Sequence, residues 1–330
     1  MTTYSNDSDE NAFESIEVPI PRPVRFWIFL LADVPSVVCS FVLLIFFWKN
    51  HSARQTLNNH AVILILICGL GVELVDVPFH LAYIIDSGIV KPSTPATCLI
   101  WWLVTYGLFN GQQILLAWAA IERHILIFNA RLMTTKRAQY CAHYLPLMVT
   151  FLYILSFYIY AVFIFPCENT FDYSLPVCNA SPCYQNDSLM GMWDFIGNNI
   201  VPGLLITFVS IALLIRVVRQ KQRLKQQIHW RKHRKMTVQL LLMAILSMVF
   251  ILPLNLLSLA HLCGLPEEIG ADEEQYLFYT AYLFIFLIPF VVLYSTSKLW
   301  ATIKMKLLCS IHHRIGVHTI NHATANTTRR

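Results

Sequence analysis

Seven long apolar runs divide this chain, and they limit its possible folds more than any other feature. Each run is long enough to cross a bilayer, which takes about 20 mostly apolar residues in a helix. None alternates apolar and polar residues as the strands of a membrane barrel do, so helices are predicted. Only 13% of the residues are charged, whereas a soluble domain carries about 25%. We therefore predict an all-α membrane protein, a seven-transmembrane helix bundle with spans at residues 26–48, 61–85, 99–121, 144–166, 196–218, 238–262 and 276–297.

Basic residues set the orientation of this bundle. Their densest cluster, residues 216–235, lies between the fifth and sixth runs, and others follow the first, third and seventh runs. Lysine and arginine mark the cytoplasmic side of a membrane protein, so the amino terminus is predicted outside and the carboxyl terminus inside. The predicted organisation is an extracellular disordered tail over 1–25, a seven-helix transmembrane domain over 26–297, a short amphipathic interfacial helix over 298–310 and a cytoplasmic tail over 311–330.

An acid–arginine pair, Glu122-Arg123, ends the third run, and Cys98 begins it, twenty-five positions before the arginine. Seven helices, an outside amino terminus and this spacing resemble those of the rhodopsin-like (class A) G protein-coupled receptors, and the resemblance is to a divergent member of that family. In that family the segment ends in Asp/Glu-Arg-Tyr, and His124 takes the place of the tyrosine. The resemblance implies a switch in which Glu122 holds Arg123 at rest and Arg123 contacts a heterotrimeric G protein after activation. An arginine that reaches toward lipid headgroups is the alternative.

Prolines and departures from the family pattern refine this expectation. Pro202, Pro253 and Pro289 lie within the last three runs, where proline removes a backbone hydrogen bond and permits a kink. Gly69 stands at the family's helix-two aspartate, and Ile251 stands at the tryptophan of its helix-six motif. The family's sodium pocket is therefore expected to be missing or rebuilt, and its usual toggle residue is absent.

The outer half of the bundle is predicted to hold a ligand pocket. Thr105 occupies the position of the aspartate in amine receptors, and Tyr282 that of the retinal-binding lysine in opsins, so neither ligand class is favoured. Carboxylates inside a span mark a functional site or a polar contact between helices, and the second span contains two, with aromatic residues on neighbouring spans. The predicted pocket consists of Glu73, Asp76, Trp101, Trp102, Thr105, Tyr106, Phe109, Tyr279 and Tyr282.

The last outer loop, residues 264–275, is acidic, as is the amino-terminal tail. An acidic rim attracts cations and speeds their encounter with a pocket, so a basic peptide is the predicted ligand, for example one ending in an amidated arginine–aromatic pair. Glu73 or Asp76 would bind its arginine through paired hydrogen bonds. The alternative, weighed equally, is that these charges only keep the loop solvated.

The resemblance also implies a disulfide from Cys98 to the second outer loop. We expect Cys183 as the partner and Cys178 as the alternative, with a second bridge, Cys167–Cys178, closing a small hairpin. Connectivity does not follow from sequence alone. Further modifications are predicted from short motifs: glycans at Asn6, Asn179 and Asn186, and a palmitoyl group at Cys309, for which an unmodified cysteine is an equal alternative.

Two classes of function fit these features. The first is a multi-pass receptor of the plasma membrane whose partners are an extracellular ligand, membrane lipids and a heterotrimeric G protein. The second is a transporter or channel with an ion path at Glu73 and Asp76. The chain lacks the internal repeats typical of many transporters, which favours the receptor. No catalytic constellation, cofactor motif or metal-ligand spacing is visible, so neither an enzyme, a cofactor, a metal site nor a nucleic-acid partner is expected.

Overall fold

The computed structural model describes residues 20–128, 135–178, 182–223, 230–266 and 269–296. These residues form seven long helices, α1 to α7, and the part of the chain described contains no β-strand. Several helices change pitch along their length and so consist of joined stretches. The bounds are Arg22–Lys49 for α1; Leu57–Gly71, Val72–Asp76 and Val77–Ile85 for α2; Pro95–Trp102, Leu103–Leu108 and Phe109–Phe128 for α3; Lys136–Ile164 for α4; Met190–Met192, Trp193–Ile200 and Val201–Arg223 for α5; Trp230–Phe250 and Leu252–Leu262 for α6; and Ala271–Ser295 for α7.

The distribution of polar and apolar side chains is that of a membrane protein. Large apolar residues such as Trp27, Leu31 and Phe208 are exposed on α1, α4 and α5, where lipid would cover them. Charged and amide side chains, by contrast, are buried between the helices. Among the described residues, five helices are long and apolar enough to cross a membrane, or six when the two halves of α6 count as one span. The remaining helix, α3, is less apolar because it carries Gln112 and Gln113, and both of these amides face the interior.

Helix α3 occupies the centre of the bundle. It packs against α2, α4, α5 and α6, while α7 packs against α1, α2 and α6. The core around α3 is made of aliphatic side chains such as Leu115 and Leu116, together with Ile65 of α2 and Phe284 of α7, each less than 2% exposed. A residue on α3 is therefore in a position to bind partners on most of the other helices.

Several helices widen to π-helical turns in the half of the bundle that carries the disulfides, here called the outer half, and three of these turns contain buried polar side chains. These three turns cover Val72–Asp76 in α2, Leu103–Leu108 in α3 and Trp193–Ile200 in α5. Pro78 and Pro202 follow the first and last of these turns, and each lacks the N–H that a regular helical turn would use. Such turns often occur at functional sites, and all three carry buried polar side chains here.

The predicted kinks behave differently from one another. Helix α6 breaks at Ile251, just before Pro253, and its two halves meet at 44°. Pro202 lies at the start of the regular part of α5, directly after the wide turn. Helix α7 runs through Pro289 without interruption to Ser295. The break expected from proline is therefore observed in α6.

Candidate functional site

A cavity of about 780 Å³ opens among α3, α5, α6 and α7 in the outer half of the bundle. This volume is within the range of about 300–1,000 Å³ that is common for ligand pockets. The residues that precede α5 contribute one wall. No lysine or arginine is among the described residues that line the cavity. The lining residues include Thr105, Tyr106, Phe109, Asn110, Gln185, Asn186, Asp187, Asp194, Asn199, Ile251, Asn255, His261, Glu274, Phe278 and Tyr282.

Two carboxylates near the mouth give this cavity a negative character. Glu274, in the first turns of α7, lies with Oε2 3.8 Å from Nδ1 of His261 on α6. Asp187 precedes α5 and accepts hydrogen bonds from the backbone N–H groups of Leu189 and Met190. Both side chains are partly exposed, so a ligand can reach them. Negative charge at an opening attracts cationic ligands.

A third carboxylate, Asp194 of α5, is held deep in the wall by neutral donors. Tyr158 of α4 donates to its Oδ1 at 2.7 Å, and Asn198 donates to the same oxygen at 2.9 Å. Tyr184, in the loop before α5, donates to Oδ2 at 2.9 Å. Burial, together with the Asp194 carboxylate, raises the pKa of the Tyr184 hydroxyl, so that it remains a donor. Asn110 of α3 extends the network by donating to Tyr158 at 2.9 Å.

Asp76 is held by a similar network between α2, α3 and α7. Its Oδ1 accepts hydrogen bonds from the indole of Trp101 at 2.5 Å and from the hydroxyl of Thr105 at 2.7 Å. Its Oδ2 accepts from the hydroxyl of Tyr282 at 2.7 Å, and that hydroxyl also lies 2.8 Å from Nε2 of His80. The Asp76 side chain is fully buried. All of its close donors are side chains of the protein.

The structure divides the residues of the predicted pocket into two groups. Thr105, Tyr106, Phe109 and Tyr282 line the cavity, whereas Glu73 and Asp76 do not. Both carboxyl groups are buried between helices, Asp76 with three protein donors and Glu73 beside Ser36, so the contact with a ligand arginine stays a prediction that the cavity lining does not support. The remaining predicted aromatics also lie away from the cavity lining: Trp101 binds Asp76, Trp102 donates to the backbone carbonyl of Val177, and Tyr279 accepts a hydrogen bond from Arg25.

The disulfides differ from the favoured prediction. Cys98 pairs with Cys178, which was the alternative, and Cys167 pairs with Cys183. The reason is the path of the second outer loop. Its backbone at Val177 accepts a hydrogen bond from Trp102 on the first turns of α3, which brings the adjacent Cys178 against Cys98. Proximity to α5 in sequence was therefore the wrong criterion.

The cytoplasmic end of α3 presents the predicted acid–arginine pair in a different setting. Glu122 and Arg123 are both buried, at 2% and 5% exposure, and His124 is partly buried. The Glu122 carboxylate accepts a short hydrogen bond from Nδ1 of His143 on α4. Nε2 of His143 in turn lies 2.8 Å from Nδ1 of His60 on α2. The acid of the pair is thus tied to two neighbouring helices, which the sequence did not reveal.

The position of the family's helix-two aspartate has been rebuilt. A Cβ atom at Gly69 would approach Nε2 of Gln112 to 2.7 Å. This amide nitrogen donates to the backbone carbonyl of Ile65, so the side chain of Gln112 fills the space beside Gly69. Glycine therefore stands at the helix-two aspartate position of the family pattern, and the Gln112 amide occupies the space beside it.

Some predicted sites lie outside the described residues, namely Asn6, Asn179, Cys309 and the interfacial helix over 298–310. Asn186 is described and exposed, and it stands at the mouth of the cavity. Sequence reasoning missed Asp187, Asp194, Glu274 and His261 as cavity residues. The acidic outer loop was a usable signal for Glu274, since it placed this charge near the start of the seventh run.

A known protein family matches this chain. The family described as 7 transmembrane receptor (rhodopsin family) matches residues 39–299, which is most of the chain. The match includes the helices that line the cavity and the acid–arginine pair. A search of curated proteins found no match.

Proposed function

Because the chain belongs to the rhodopsin family of seven-transmembrane receptors, we propose that it binds an extracellular ligand in the cavity and signals to a heterotrimeric G protein. The observation that carries this proposal is that α3 contributes residues to both the cavity and the cytoplasmic end of the bundle. Its outer turns line the cavity through Tyr106 and Phe109, and its inner end carries Glu122 and Arg123. A shift of α3 would therefore move residues at both the cavity and the acid–arginine pair. Coupling between two binding sites requires such a shared element.

The proposed ligand is a basic peptide. Glu274 and Asp187 supply negative charge at the mouth, and no described lining residue is a lysine or arginine. Deeper in the cavity, the amides of Asn110, Asn199 and Asn255 are suited to the backbone groups of a peptide, because an amide both donates and accepts. Tyr106 and Phe278 add aromatic faces on which a guanidinium group or a ligand ring can stack. This ligand class retains the predicted charge but moves its recognition from Glu73 and Asp76 to the rim.

The protein would act at the plasma membrane as a non-enzymatic receptor. A transporter with an ion path at Glu73 and Asp76 receives less support from the geometry. Both carboxyl groups are buried, and neither lines the cavity. The neutral donors around Asp76 hold its carboxylate in place instead of leaving it open to a passing ion.

The ligand proposal is tested with synthetic amidated peptides ending in an arginine–aromatic pair, applied to cells that carry G protein dissociation sensors. An active peptide should lose about ten- to a hundredfold in potency with Glu274→Gln, since a hydrogen bond to a charged group contributes about 1.5–3 kcal/mol. The matched control is Glu273→Gln, which removes a neighbouring exposed charge that does not line the cavity. Activation by acidic or uncharged ligands alone, or equal losses in the two variants, would contradict the proposal.

Coupling is tested separately through Arg123→Ala. We expect surface display close to wild type and loss of both basal and ligand-driven nucleotide exchange on the G protein, because the residue proposed to contact it is gone. Normal exchange by a well-displayed Arg123→Ala protein would remove the proposed role of the acid–arginine pair.

A further inference from the structure

A second pair of carboxyl groups lies between α1 and α2, away from the cavity. Glu73 of α2 and Asp33 of α1 are both buried, at 1% and 7% exposure, and the two groups interact electrostatically. Asp33, Ser36 and Ser40 recur at spacings of three and four residues, which places them on one face of α1. This face of α1 forms a polar stripe opposite Glu73, on a helix whose other side is apolar and exposed.

The hydrogen bonds of Ser36 indicate where a proton lies. Its Oγ is 2.5 Å from Oε1 of Glu73 and 2.9 Å from the backbone carbonyl oxygen of Phe286 on α7. A hydroxyl has one hydrogen to donate, so it cannot donate to a carboxylate and a carbonyl at once. Both contacts are satisfied when Glu73 is neutral. Its Oε1–H then donates to Ser36, and Ser36 donates to Phe286.

The groups around Glu73 and Asp33 also indicate that Glu73 is protonated. Among the described residues, no ion pair joins Glu73 or Asp33 to a lysine, arginine or histidine. The Ser40 hydroxyl, which is 1% exposed, interacts with the Glu73 carboxyl. Within the described part of the chain, Oε2 of Glu73 and Oδ1 of Asp33 have no hydrogen-bond partner in good geometry. Two unpaired negative charges in such a site would repel each other and lose their hydration. A proton on Oε1 of Glu73 removes one of these charges and supplies the donor for the contact with Ser36.

We propose that Glu73 and Asp33 form a proton-binding site in which Glu73 is protonated at neutral pH and links α1, α2 and α7 through Ser36. Other titratable groups near the site are already engaged or uncharged. Asp76, on the same turn of α2, is held by its three donors, and Tyr282 of α7 is one of these. Cys39 adds a thiol from α1, and the part of α3 that faces α2 contributes Thr105 and Trp101, which bind Asp76.

Loss of this proton would change the packing of the bundle. An ionised Glu73 would compete with the Phe286 carbonyl for the single hydrogen of Ser36, so the link between α1 and α7 would weaken. Falling pH therefore favours the linked arrangement, and rising pH favours its release. The site does not depend on the identity of the ligand or on coupling to a G protein.

Infrared spectroscopy of the purified full-length protein in lipid nanodiscs tests the site directly. A protonated carboxyl group gives a C=O stretching band distinct from that of a carboxylate. We expect this band at neutral pH in the wild type, its loss in Glu73→Gln, and its retention in the matched control Glu168→Gln, which alters an exposed loop residue. A spectrum unchanged by Glu73→Gln at neutral pH would overturn the proposal.

Two further measurements keep the test decisive. If Glu73→Gln does not reach the membrane, Ser36→Ala keeps the carboxyl group but removes its hydrogen-bond partner, so the band should shift in frequency. A band that stays in place would contradict the assignment. The melting temperature is then compared in sodium chloride and in an organic-cation chloride at equal ionic strength. Stabilisation by sodium in the wild type but not in Glu73→Gln would show a metal-cation site and overturn the proton proposal.

Discussion

Asp76 in the outer half and Glu122 at the cytoplasmic end present the same physical problem, a buried carboxylate within a helix bundle, and the protein solves it differently in each place. Asp76 is bound by an indole, a hydroxyl and a phenol, all neutral groups in fixed positions. Glu122 is bound by the imidazole of His143. Asp76 thus has three donors from α3 and α7, with the His80 imidazole 3.8 Å from its Oδ1, whereas the described hydrogen bond to Glu122 comes from one imidazole on α4.

This difference suggests that the two ends of the bundle have different roles. The outer half combines two disulfides with networks of neutral donors around Asp76 and Asp194, which together hold the cavity in one shape. The described part of the cytoplasmic end has no disulfide, and its carboxylate is bound by the imidazole of His143. A receptor needs such an asymmetry, because its binding site has to be preorganised while its signalling end changes state.

The largest effect should come from Asp76→Ala, which breaks the outer network. It leaves the buried donors of Trp101, Thr105 and Tyr282 without their acceptor, and each unsatisfied group costs about 1–3 kcal/mol. We expect strongly reduced surface display and a clear fall in the melting temperature of purified protein. The matched control is Asp86→Ala, directly after the end of the same helix. The ion pair of Asp86 with Lys91 is at the surface and should contribute about 0–1 kcal/mol. Similar losses of surface display and melting temperature in both variants would show that the network around Asp76 contributes no more to stability than a surface ion pair.

An intermediate effect is expected from the disulfide that fixes α3 to the second outer loop. Cys98→Ala should lower the melting temperature, since losing a native disulfide typically costs about 2–5 kcal/mol. The bridge between Cys167 and Cys183 closes a loop of 16 residues, against 80 for the first, so Cys167→Ala should cost less. Peptide mapping without reduction should find Cys98 linked to Cys178. A peptide linking Cys98 to Cys183 would contradict the described path of the loop.

The sequence predicted the fold well because apolar runs report directly on membrane spans. Each predicted run falls within, or within a few residues of, an observed helix, although α6 begins at Trp230, before the predicted span at 238–262. Hydropathy detects the apolar part of a helix and not the turns that extend beyond it. The acid–arginine pair at the inner end of α3 was also readable from sequence, because its spacing from Cys98 fits a family pattern.

The partners of the buried carboxylates were not readable in this way. Asp76 and Tyr282 are 206 positions apart, and Glu122 and His143 lie on different helices. Their contacts depend on how the helices rotate, and the wide turn at Val72–Asp76 alters that rotation locally.

Glu122→Gln should have the smallest effect on stability. It tests the cytoplasmic end of the bundle, which the preceding variants do not. The amide keeps an oxygen that accepts from His143, so the fold should lose little, and Glu168→Gln in an exposed loop provides the baseline. Signalling should respond differently, because the variant removes the negative charge beside Arg123 and weakens the tie to α4. We expect raised basal G protein activation at equal surface display, with no change in the control. The opposite result would be that Glu122→Gln destabilises the protein as much as Asp76→Ala while basal activity stays at the wild-type level. In that case Glu122 is part of a fixed scaffold, and the proposed division between a rigid outer half and a switchable inner end is wrong.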